Sequence, residues 1–238
     1  ERVDMLGGGL PVIRRWPYEY KAPFAPSDVF EEYVRPARIV ENGKLVLKEA
    51  LSEPELVHFE GFGTLEAFNT DGLRSLAYTL KVPNMRERTM RYPGHIELMR
   101  VFRDSGFFSN EEIVVGGVKV RPLELTSKLI VPKWTFEDGE ADVTVMRILV
   151  EGTEEGRRVR RTWDLCDRYD PVTGFRSMSR TTGFPATAVA GLLCKGEFQR
   201  PGVHPPEVLG QTAGFTDAVL ARLAERGIHF VERRELLD

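Results

Sequence analysis

Two long runs with a period of two, Ala141–Glu151 and Arg157–Arg168, constrain this chain more than any other feature. Val143, Val145, Arg147 and Leu149 alternate along the first run, and Arg158, Arg160, Thr162 and Asp164 along the second. Alternation of this kind marks strands with one solvated face. The acidic, glycine-bounded turn Gly152-Thr153-Glu154-Glu155-Gly156 joins them, so they pair antiparallel. Two strands of this length need a sheet to belong to, because an isolated hairpin is barely stable in water.

The rest of the chain supplies that sheet and its helices. Asn42-Gly43 between Ala37–Val40 and Lys44–Leu47 signals a type I′ hairpin. Leu56–Phe59, Thr64–Asn69 and Arg86–Tyr92 read as strands, with a short helix over Gly72–Leu80. Helices are expected from Pro26 to about Val34, over Gly94–Asp104, Pro122–Ile130 and Pro185–Lys195, and over Phe215–Arg226, with Ile228–Val231 as a terminal strand. Residues 1–16, with Gly7-Gly8-Gly9, read as an irregular glycine-rich connection. Hairpins outnumber βαβ units, which gives an α+β class: a mixed, largely antiparallel sheet with helices packed on it.

Composition and absent motifs narrow the function. A net charge of −3 gives no electrostatic reason for a nucleic-acid or membrane partner, and the basic run Arg157–Arg161 reads as the solvated side of a strand. The longest apolar run, Gly183–Cys194, is too short to span a bilayer. Cys166 and Cys194 form no disulfide framework, which makes a reducing, cytoplasmic setting the default and small buried hydrophobes the expected role of both thiols. His58, His95, His204 and His229 are scattered singly, without zinc-site pairing. A dinucleotide fingerprint fails: Gly7 and Gly9 start the spacing, but Pro11 and Val12 break it.

Chemistry-bearing residues gather instead at a strand-to-helix corner, Arg91-Tyr92-Pro93-Gly94-His95. Thr89 to His95 resembles the T-L-R-Y-P-G-H segment of the saccharopine dehydrogenase and lysine 6-dehydrogenase family. Glu66-Ala67-Phe68-Asn69-Thr70-Asp71-Gly72-Leu73 is similar to the E-A-F-x-T-D-G-L segment of the lysine 6-dehydrogenase branch. Gly8-Gly9-Leu10-Pro11, Arg35-Pro36-Ala37-Arg38 with Asn42-Gly43-Lys44, Thr182-Gly183-Phe184-Pro185 and Gly202-Val203-His204-Pro205-Pro206-Glu207 extend the likeness in family order.

The resemblance implies the second domain of such an enzyme, which contacts substrate and forms a homodimer. NAD or NADP would be bound by a Rossmann domain beyond this chain, and no cofactor is expected on this chain alone. On that reading residues 1–16 link to the nucleotide domain, 17–200 form the substrate-binding and dimerisation domain, and 201–238 pack back on the Rossmann domain. The substrate would be an amino acid or amine oxidised at a C–N bond. Where saccharopine-forming relatives carry an Arg near the first helix, this chain has Ser27 or Asp28, which favours a lysine 6-dehydrogenase-like activity over saccharopine.

The candidate catalytic residues are His95 and Tyr92, and the candidate substrate-binding residues are Arg91, Asn69, Thr70, Asp71, Thr182 and Gly183. Each also has a structural reading. Arg91 would be an ion-pair partner, Tyr92 a core-edge phenol and His95 the cap of the corner. Asn69 to Asp71 would cap a helix. Thr182 and Gly183 precede Pro185, where unpaired N–H groups would suit a carboxylate. The rival to an enzyme domain is a stand-alone, non-catalytic binding or dimerisation module.

Overall fold

The structure, a computed structural model, describes residues 1–237. Its backbone is a nine-stranded sheet built around β1 (Arg2–Pro11) and β6 (Asn84–Arg91), which pair parallel from Arg2–Asn84 to Gly7–Thr89. On the other side of β1 lies β9 (Asp142–Glu154), antiparallel over its whole length, followed by β10 (Arg157–Arg168) and β11 (Val231–Leu236). The far edge of β6 is shared. Near its start it meets β2 (Ala37–Glu41), which carries β3 (Lys44–Lys48), and near its end it meets β5 (Gly63–Asn69), which carries β4 (Glu55–Phe59). The α+β reading with a mixed, largely antiparallel sheet is therefore correct.

Turn chemistry sets the two strongest hairpins. Asn42 and Gly43 have φ of 50° and 74°, as a type I′ turn requires. Glu155 and Gly156, at 51° and 77°, do the same between β9 and β10, so β9 runs three residues beyond its expected end at Glu151. The basic run on β10 is neutralised across the strands: Arg160 pairs with Glu151 and Glu235, and Arg161 with Glu154 and Glu232.

Residues 1–16 correct the expectation of an irregular connection, because they contain β1, a central strand of the sheet. Gly8 belongs there for a steric reason: a Cβ at this position would lie 2.8 Å from the carbonyl oxygen of Met90. The last strand also differs from expectation, running over Val231–Leu236 and pairing with β10, so the carboxyl-terminal segment is part of this sheet.

Helices α1 (Pro26–Val34), α3 (His95–Asp104) and α4 (Pro122–Trp134) enclose the main aromatic core of Tyr20, Phe30, Tyr33, Phe68, Phe108 and Trp134. Between β5 and β6 the helix α2 (Leu76–Thr79) is shorter than expected. A small hairpin, β7 (Ile113–Val115) with β8 (Val118–Val120), stands apart from the main sheet. Helix α5 (Ser177–Cys194) packs on β9 and β10, and α6 (Pro206–Gly210) and α7 (Phe215–Ala224) follow it.

Candidate functional site

Strand β6 ends at the corner singled out in the sequence, and its pleat divides the motif. Glu87, Thr89 and Arg91 point to one face, and Met90 and Tyr92 to the other. On the Arg91 face everything is enclosed. Arg91 is 2% exposed, its Nη2 donates to Glu32 at 2.9 Å, and its guanidinium lies 4.6 Å from the centre of the Tyr20 ring. Burial opposes its charge, but the surrounding Tyr20, Tyr33 and Glu32 hold the guanidinium protonated.

His95 lies beneath Arg91. Its Nδ1 is 2.9 Å from the Tyr18 carbonyl and so carries the proton, while its Nε2 accepts from the Tyr33 hydroxyl at 2.8 Å. Burial, with the nearby charge of Arg91, drives the imidazole pKa down to about 3. The imidazole is therefore neutral at physiological pH, held so by enclosure and a neighbouring guanidinium. At the start of α3 the Gly94 N–H donates to Glu66 at 3.2 Å.

Further along the same face, Thr70 and Asp71 line an acidic cavity of about 390 Å³ with Asp28, Glu31, Glu32 and Glu87. Thr70 donates its hydroxyl to Glu87 at 2.6 Å and meets the Thr89 hydroxyl at 2.9 Å. Burial raises the Glu87 carboxyl to about 7, against the stabilising Thr70 hydrogen bond. Asp71 is clamped by Arg38 at 2.7 and 2.8 Å. Asn69, fully buried, donates to Ser52 and Glu53 and so fastens the turn before β4. These three residues bond to neighbouring strands and to the turn before β4; they do not cap a helix. Glu87 was not a sequence candidate, although its two-residue spacing from Thr89 and Arg91 put it on their face.

Tyr92 belongs to the other face. Its hydroxyl donates to the Pro11 carbonyl at 2.9 Å, tying the end of β6 to the end of β1. Phe62 stacks beside the ring at 6.4 Å and 19°, and the Arg14 guanidinium lies 4.6 Å from the ring centre. Burial raises the phenol pKa, while Arg14 and Arg168 pull it down. Arg168 ends β10 opposite Val143. Val143 packs with Tyr92 in the core cluster of this face, so Arg168 points the same way. Neither Arg14 nor Arg168 was a candidate. The alternation Arg160, Thr162, Asp164 carried two steps further would have put Arg168 on the solvated side.

Thr182 and Gly183 are not at a helix start. Both are exposed and inside α5, which begins at Ser177, and the Thr182 hydroxyl donates back to the Met178 carbonyl at 2.5 Å. Their backbone N–H groups belong to the helix, so no carboxylate cradle exists there. The true start of α5 is capped from a distance: the Asp142 carboxylate accepts from the N–H groups of Ser177 and Met178 at 2.6 and 3.0 Å. The cavity at Thr70 contains neither Tyr92 nor Thr182, so the corner does not converge with Thr182 there. The two cysteines are also exposed, contrary to the buried role expected of them.

Comparison with known proteins agrees with this architecture. Over 99% of the chain, the fold superposes on 67% of the apo, histidine-tagged saccharopine dehydrogenase (L-Glu forming) from Saccharomyces cerevisiae, with a TM-score of 0.78 and 16% identity. At that identity the likeness speaks for the fold alone. The family described as the saccharopine dehydrogenase C-terminal domain matches residues 1–228. Glycine strand, tyrosine corner and nearly the whole of the sheet fall within that match, and the chain belongs to the saccharopine dehydrogenase C-terminal domain family.

Proposed function

We propose that this chain is the substrate-binding and dimerisation domain of an NAD(P)-dependent oxidoreductase acting on a C–N bond of an amino acid or amine, with lysine 6-dehydrogenase-like activity favoured over saccharopine. The supporting observation is the 2.9 Å hydrogen bond from Tyr92 to Pro11. It brings the Gly-Gly-Leu-Pro strand and the Arg-Tyr-Pro-Gly-His corner together at the carboxyl ends of a parallel pair, the edge at which mixed α/β sheets collect ligands.

The residues of this chain do not fit a dinucleotide. Its glycine run is a strand paired on both sides, with Gly8 against the Met90 carbonyl and Gly9 against Met178 and Pro23, so no phosphate-binding turn opens there. NAD or NADP is therefore assigned to a Rossmann domain in the full-length enzyme. This chain's part is to bind and orient the substrate beside it. Tyr92 offers its remaining oxygen lone pairs to a substrate N–H, since its own proton is engaged by Pro11. Arg91, His95 and Asn69 hold the corner in shape from beneath.

The test is turnover by full-length protein carrying this domain, with NAD and NADP in turn, against lysine, diamines and related amino acids. Reduction of either cofactor by one of them is expected; reduction by none would defeat the proposal. Homodimerisation accompanies the same reading, and a monomer by light scattering at micromolar concentration would contradict it.

A further inference from the structure

Arg91 was the sequence candidate for binding a substrate carboxylate, yet it is enclosed and already paired with Glu32. On the Tyr92 face, Arg14 stacks on the Tyr92 ring and Arg168 lies close enough for both charges to lower the phenol pKa. We propose that Arg14 and Arg168 form, with the Tyr92 edge between them, the receptor for a carboxylate of the substrate, and that these two residues set a preference for amino acids over simple amines. The proposal rests on the substrate site assigned above to the carboxyl ends of β1 and β6.

Arg14 is positioned for this role by its own loop. Glu19 adopts a left-handed backbone conformation (φ 47°), and its N–H bonds the Arg15 carbonyl at 2.8 Å. Non-glycine residues seldom accept that conformation without a compensating interaction. Here the Glu19 carboxylate accepts from Nε and Nη2 of Arg14, which leaves Nη1 for a ligand and holds the guanidinium over the Tyr92 ring.

Arg168 comes from a different strand and is exposed. Arg147, on the same face of the sheet, is paired with Asp164 at 2.7 Å. No ion pair among the described residues engages Arg168. Its register opposite Val143, next to the Pro11–Asp142 pairing, puts it at the sheet edge where Tyr92 meets Pro11. A planar guanidinium left without a carboxylate partner suits a ligand that brings one.

The experiment compares L-lysine with 1,5-diaminopentane, the same amine without its carboxylate, on full-length protein carrying Arg168→Gln, Arg168→Lys or Arg14→Gln. Arg168→Gln should raise KM or Kd for L-lysine about 10- to 100-fold, the loss of a charge-assisted hydrogen bond, and leave 1,5-diaminopentane unchanged. Arg168→Lys should recover part of the loss. Arg14→Gln should act in the same direction and additionally disturb Tyr92, so Arg168 is the deciding position. If L-lysine and 1,5-diaminopentane are used equally well and Arg168→Gln alters neither, the carboxylate receptor is overturned while the amine oxidoreductase reading stands. If neither compound nor any other amine or amino acid is bound or turned over, that reading falls and takes the receptor with it.

Discussion

The two faces of β6 are both buried but enclose different chemistry. On one, Arg91 and His95 are almost completely enclosed among Tyr18, Tyr20, Tyr33 and Glu32, with both hydrogen-bonding nitrogens of the imidazole satisfied. On the other, Tyr92 is also buried, at 8% exposed, but its hydroxyl is tied by a single hydrogen bond and its ring is bordered by an exposed Arg168. Residues adjacent in sequence therefore have separate tasks: Arg91 organises the interior, and Tyr92 faces the sheet edge. A motif read as one ligand-binding unit is two half-motifs back to back, because the pleat sends neighbours in opposite directions.

Replacing the buried Arg91 with Met should have the largest effect on stability. It strands Glu32 beside a cavity and removes the guanidinium from Tyr20, at a cost of about 3–5 kcal/mol in denaturant unfolding. A loss below about 1 kcal/mol would erase the contrast between the faces.

The second prediction uses pH. His95 titrates at about 3 in the folded chain and near 6.5 when unfolded, so the unfolded state takes up its proton first. Stability from this group is complete above pH 6.5 and is lost as pH falls from there toward 3. His95→Asn should flatten that slope even where it lowers stability at every pH. An unchanged slope would show that the imidazole is not enclosed.

Glu87 runs in the opposite sense. Its folded carboxyl titrates at about 7 against 4.5 unfolded, so its contribution is complete below pH 4.5 and lost as pH rises through 7. Glu87→Gln should stabilise the protein at pH 8 by roughly 1–3 kcal/mol and steepen the acid-side loss between pH 6.5 and 4.5, where the two groups oppose each other. Unfolding curves across that range decide it. The smallest stability effect belongs to the Tyr92 face. Tyr92→Phe removes one hydrogen bond to Pro11 and should cost about 1 kcal/mol, with its main consequence in substrate turnover.

What could be read from the sequence follows the range of the forces involved. The hairpins at Asn42-Gly43 and Glu155-Gly156 are local turn chemistry flanked by period-two runs, and both were legible. Strand β1 was not, since three glycines favour a loop until Met90 supplies the close neighbour that requires them. Helix α5 was read eight residues short because Pro185 looks like a helix start, whereas the actual cap is Asp142, 35 residues away from Ser177. The corner at Arg91–His95 was found from its residue types. Which of its members shares a face with which depended on strand register, and Arg14 and Arg168 reach Tyr92 only through the loop after β1 and the pairing of β10 with β9.

Gly8 has an effect beyond the space it vacates. The carbonyl that would meet its side chain is that of Met90, one peptide bond before Arg91 and two residues before Tyr92. A methyl group at residue 8 would thus push the strand bearing both half-motifs outward, moving the phenol away from Pro11 without touching any ligand. The spacing between Tyr92 and Pro11 is accordingly set from the middle of the sheet, by a residue that touches neither of them.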